Sequence, residues 1–98
     1  MTDLEMTRLC AKAMGGIYRV DENDCLWTRN YASGWSAYRP LHDDEQAMAL
    51  VKKLRLKIEY QGLPSGANWH VASSMYCCNA DLNRAIVECV AKMQSSVH

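Results

Sequence analysis

Three stretches of the chain repeat apolar residues at helical spacing, and between them the spacing shortens to two. Met6, Leu9, Cys10, Ala13 and Met14 form the first stripe. Thr2, with Glu5 three residues on, makes a capping box that satisfies free amides at a helix start. Gly15-Gly16 supplies the permissive backbone that stops the run, so a helix is predicted from about residue 3 to 14. Ala47, Met48, Leu50, Val51 and Leu54 form a second stripe. Asp43 is its cap. Asp44 and Glu45 sit at the positive end of the helix dipole, and Lys52 and Lys53 at the negative end. Leu82, Ala85, Ile86, Cys89, Val90 and Met93 form the third, with Asn79 as cap, Asp81 in the first turn and Glu88–Lys92 as a favourable i,i+4 pair.

The strand signals lie between these helices. Ile17 to Val20 and Cys25 to Arg29 flank a polar turn, Asp21 to Asp24, and read as a hairpin. Leu54, Leu56, Ile58 and Tyr60 alternate with Arg55, Lys57 and Glu59, which predicts a strand with one buried face. Gln61 to Ala67 is turn-rich, and Asn68 to Cys77 reads as a single partner strand. Asn30 to Pro40 reads as a loop with a short strand at Trp35 to Tyr38. The expected order is α-ββ-α-ββ-α. It gives one α+β domain over 1–98, in which three helices pack on a small antiparallel sheet of about four strands. Residues 82–93 and 54–60 are expected to bury each other's apolar side chains.

Composition narrows the function classes. The chain of 98 residues carries 11 Lys plus Arg and 11 Asp plus Glu, a net charge of zero. A duplex binder usually carries a basic excess to displace counterions, so nucleic acid is disfavoured as a partner. At 49% hydrophobic and 22% charged residues, the chain is globular rather than disordered. No apolar run approaches the roughly 18 residues of a membrane span. The acidic, polar start does not read as a signal peptide. The five cysteines are odd in number, which points to free thiols in a reducing cytoplasm. Cys10 and Cys89 fall on helix stripes and are read as core hydrophobes. Phe is absent, so Trp27, Trp35 and Trp69 are the large anchors for a core or a surface.

Few constellations carry chemistry. His42-Asp43-Asp44-Glu45 has metal-binding residue types, but four consecutive residues at a helix start cannot converge on one ion. Capping is the preferred reading, and no metal is assigned. His70 with Cys78 has the types of a base and a nucleophile. On one continuous strand they would stand about 26 Å apart, which excludes the pair. Neither Gly15-Gly16 nor Gly62 to Gly66 is followed by Gly-Lys-Ser/Thr, so no phosphate cofactor is expected.

Three segments carry a family resemblance: Leu9-Cys-Ala-Lys-Ala-Met-Gly15, Tyr38-Arg-Pro-Leu-His-Asp-Asp-Glu-Gln-Ala-Met-Ala-Leu-Val51, and Ala80-Asp-Leu-Asn-Arg-Ala-Ile-Val-Glu-Cys-Val-Ala91. Together they resemble the small phage-encoded proteins of the phage ABA sandwich domain family. The matching positions are packing and capping residues spread over nearly the whole chain. Gly34 to Ala37 and Cys77-Cys78 lie outside the pattern. The resemblance implies a phage or prophage accessory protein in a bacterial cytoplasm, with no catalytic residues to carry over.

The strongest binding candidate is Tyr31-Ala-Ser-Gly-Trp-Ser-Ala-Tyr-Arg39. Trp, Tyr and Arg dominate binding hot spots, so Tyr31, Trp35, Tyr38 and Arg39 are the candidate partner-binding residues. The competing reading is that these aromatics cover the open end of a small sheet. The expectation is a non-enzymatic protein that binds a host or phage macromolecule, with inhibition of antiviral defence as one outcome. One alternative is a nucleic-acid module that gathers Arg19, Arg29, Arg39, Arg55 and Lys57 beside aromatics. The other is a small-ligand binder with a pocket between sheet and helices. An edge strand or an uncovered face would also serve a homodimer.

Overall fold

The computed structural model describes residues 1–30, 34–63, 66–73 and 75–95. Helix α1 spans Asp3–Ala13, and strands β1 (Tyr18–Val20), β2 (Leu26–Asn30) and β3 (Gly34–Ala37) follow. Helix α2 spans Asp44–Leu54, then come β4 (Lys57–Leu63), β5 (Gly66–Ala72) and β6 (Tyr76–Asn79), and α3 spans Leu82–Ser95. The class is α+β, with three helices. The strands form two three-stranded antiparallel sheets, ordered β1-β2-β3 and β4-β5-β6. The expected single sheet of four strands and the order α-ββ-α-ββ-α are therefore corrected to α-βββ-α-βββ-α.

Two local features account for the extra strands. Gly34–Ala37 pairs along β2, with Arg29 opposite Trp35 and Trp27 opposite Ala37. Asn68 to Cys77 is not one strand. The chain reverses beyond Ala72, and the Ser73 amide donates to the Met75 carbonyl at 2.8 Å. The returning β6 then pairs with β5, placing Val71 opposite Cys77 and His70 opposite Cys78.

The caps follow the sequence at two helices and shift at the third. The Glu5 amide donates to Thr2 Oγ1 at 3.1 Å, and the Gln46 amide to Asp43 Oδ1 at 3.1 Å. At α3 the cap is Asp81 rather than Asn79. Its Oδ1 accepts from the Asn83 amide at 3.0 Å, while Asn79 Oδ1 holds the Asp81 amide at 2.9 Å. Glu88 pairs with Arg84 four residues earlier, at 2.9 Å. Helix α2 ends at Leu54, Arg55 turns the chain in the left-handed region at φ 53°, and the strand begins at Lys57.

The helices form a layer between the two sheets. Helix α1 packs on β1, β2 and α3, while α3 packs on β5, β6, α1 and α2. The molecule is accordingly long, 45 × 27 × 26 Å. This arrangement explains the composition of α3. Besides the predicted stripe, Val87 and Ala91 are fully buried, because α3 is covered on more than one side. Cys10 Sγ, on α1, lies 3.7 Å from the Val87 carbonyl, and Cys89 Sγ lies 3.5 Å from the Met75 carbonyl. The core cluster runs from Leu26 and Tyr38 through Cys10, Leu50 and Ile86 to Leu56, Val71 and Cys77. All three tryptophans lie outside it, so the core is aliphatic and thiol rather than indole. Met48, expected in the α2 stripe, is exposed.

Candidate functional site

Antiparallel register decides which side chains share a face, because residues directly opposite project the same way and neighbours along a strand alternate. In the first sheet, Leu26 and Tyr38 are buried and face the helices. Arg19, Trp27, Arg29, Trp35 and Ala37 therefore occupy the outer face. The Arg19 guanidinium lies 4.8 Å from the Trp35 ring centroid, a cation–π contact. Arg29 is paired directly opposite Trp35. Trp27 is fixed by its indole N–H, which donates to Asp21 Oδ2 at 2.9 Å. Asp21 also accepts the amides of Asn23 at 2.9 Å and Cys25 at 3.0 Å. The Trp27 hydrogen bond, with those amides, holds the Asp21 carboxyl below its ordinary range.

The four residues singled out from the sequence separate here. Trp35 is exposed on the outer face, and Arg39 is exposed just beyond β3. Tyr38 is three positions from Trp35, so strand alternation turns it inward, and only 7% of it remains exposed. That burial takes Tyr38 out of the candidate surface and makes it part of the core. Its hydroxyl has no hydrogen-bond partner among the described residues, and burial pushes its pKa up. Tyr31 lies outside the described residues. The sequence groups Arg19 with aromatics only in general terms; its contact with Trp35 spans 16 positions and reaches across β2, between the two edge strands, which no local spacing reveals.

The five cations of the nucleic-acid alternative are divided between the sheets. Arg19 and Arg29 lie on the first, whereas Arg55 and Lys57 lie at the start of the second. A half-open cleft of about 450 Å³ lies between α1 and the first sheet, lined by Leu4, Thr7, Leu26, Tyr38, Arg39 and His42 among others. Its size is that of a small-molecule site. Asp43 and Asp44 hold structure together: Asp43 caps α2, and Asp44 Oδ1 accepts from the Asn83 amide side chain at 2.8 Å.

The second sheet presents different chemistry. Val71 and Cys77 are buried against α3. The opposite face carries Lys57, Glu59, His70, Tyr76 and Cys78. Glu59, His70 and Cys78 form one row across the three strands, and His70 Nδ1 is hydrogen-bonded to the Tyr76 hydroxyl. Tyr60 and Trp69 share the inner face, with ring centroids 4.8 Å apart. Tyr60 is 56% exposed there.

No protein-family model matches the chain, and neither a curated protein nor a solved structure matches it. Among the described residues no helix is long and apolar enough to cross a membrane.

Proposed function

We propose that this chain is a non-enzymatic accessory protein of the phage ABA sandwich kind, and that it binds a protein of the host or the phage in the bacterial cytoplasm. Interference with a bacterial process such as antiviral defence is the outcome this reading anticipates. The supporting observation is the outer face of the first sheet, where Arg19 stacks on an exposed Trp35 with Arg29 opposite. An indole with two guanidiniums suits an acidic protein surface, because the ring supplies contact area and the cations supply charge complementarity. The test is affinity capture from infected cells with the wild type, Trp35→Ala and Arg19→Ala, followed by salt titration of the recovered complex. The expected result is a partner lost from both variants while far-UV circular dichroism is unchanged. Equal recovery on all three proteins would overturn the reading.

The cleft beside Tyr38 favours a second reading, a small apolar ligand held between α1 and the first sheet. Native mass spectrometry of the purified protein would show it as a co-purified mass. The edge strands β1, β3, β4 and β6 offer a route to a homodimer, which light scattering reads directly.

A further inference from the structure

The break between β5 and β6 creates a pair that a continuous strand would forbid. His70 and Cys78 are cross-strand partners on the outer face of the second sheet, with Glu59 opposite His70 on its other side. Directly opposite residues place their Cβ atoms about 4.5–5.5 Å apart. A thiol and an imidazole at that separation come within hydrogen-bonding reach by side-chain rotation alone. Cys78 is exposed, so a reagent can approach it from solvent. His70 is also oriented, because the Tyr76 hydroxyl is hydrogen-bonded to Nδ1. In the tautomer whose Nδ1–H donates to the Tyr76 oxygen, Nε2 carries the lone pair and can take a proton. That is the arrangement of a nucleophile, a base and a group that orients the base.

We propose that Cys78 is a thiol-modification site at which His70 serves as the base, and that its co-reactant is a low-molecular-weight disulfide. The Cys78 proton moves to His70 Nε2, and the thiolate attacks one sulfur of the disulfide. A new S–S bond forms to Cys78, and the old S–S bond breaks. The departing thiolate takes the proton back from the imidazolium. The balance is one protein thiol plus one disulfide giving one mixed disulfide plus one small thiol, with no further oxidant. The site lies on the sheet opposite the proposed partner face, so it stands or falls independently of that reading.

Cys25 provides the internal control. It too is exposed, but it sits in the β1–β2 turn, where its Sγ faces the Asn23 carbonyl at 3.9 Å. The experiment incubates the full chain with glutathione disulfide and follows each cysteine by peptide mass spectrometry. In the wild type, Cys78 should acquire the adduct about tenfold faster than Cys25. His70→Gln should bring Cys78 down to the Cys25 rate while leaving Cys25 unchanged. Tyr76→Phe should give an intermediate rate. Continued protection of Cys10, Cys77 and Cys89 shows that each variant is folded. A Cys78 rate equal to that of Cys25 in the wild type, or one unmoved by His70→Gln, would overturn the proposal.

Discussion

The two sheets share a plan and differ in what they expose. Each has three antiparallel strands, one face against the helical layer and one face open. The first is built from strands of three, five and four residues, and its open face carries Arg19, Arg29 and Trp35. The second has strands of seven, seven and four residues, and its open face carries Glu59, His70, Tyr76 and Cys78. One architecture thus presents cationic and aromatic contact area on one side and ionisable, nucleophilic groups on the other. The inner faces, by contrast, differ little in kind. Both contribute aliphatic, aromatic or thiol side chains to one core, so stability is shared while surface chemistry is segregated.

Truncations beneath each sheet should give the largest effects. Leu26→Ala under the first sheet should cost about 2–5 kcal/mol, and Val71→Ala under the second about 1–3 kcal/mol, because it removes fewer atoms. Urea unfolding monitored by circular dichroism measures both. Two cooperative transitions in either variant would break the picture of a single shared core.

Alkali should act next most strongly. Burial pushes the Cys10 thiol from its usual 9.0 up to about 12, and the Cys89 thiol up to about 11. The native state therefore holds these protons more tightly than the unfolded chain does. The associated stability is complete below the unfolded pKa of 9.0 and is lost as pH climbs towards 12. Urea midpoints should fall through this window, and Cys10→Ala should flatten the fall.

Acid acts more locally, on the turn of the first sheet. The Trp27 indole and two amides lower the Asp21 carboxyl, so its contribution is present above the ordinary carboxylate range and is lost as pH falls through the depressed value. The Trp27 indole N–H resonance should shift over that lower range. Asp21→Asn should abolish the shift and leave the second sheet's amides unmoved.

The smallest effects are expected on the open faces. Trp35→Ala and Tyr76→Ala should each change stability by less than about 1 kcal/mol, since both side chains are substantially exposed. A larger loss from either, read by thermal unfolding, would mean that its face is covered.

Much of the local structure was legible because capping and amphipathic spacing act over three or four residues. Thr2 with Glu5, Asp43, and the stripe of α3 all act at that range. What escaped the sequence acts at longer range or lacks a marker residue. The reversal after Ala72 has neither glycine nor proline, and Val71, Met75 and Cys77 on either side of its two serines stay in phase, so two strands read as one. Val87 and Ala91 look peripheral until α3 is known to pack on α1 and α2 as well as on the second sheet. From the sequence the candidate binding segment is a loop with a short strand at Trp35 to Tyr38, and both aromatics are available to act together. Once Gly34–Ala37 pairs as a strand, their odd separation sends one outward and the other inward.

The central claim is that a helical layer lies between two sheets whose outer faces are open, with the second sheet folded back between Ala72 and Tyr76. Counting the thiols that a water-soluble aromatic disulfide titrates in the native protein tests it most directly. Cys25 and Cys78 should react promptly, while Cys10, Cys77 and Cys89 react only after denaturation. Prompt reaction of Cys77 alongside its neighbour, or protection of Cys78, would contradict the register that places one inward and the other outward.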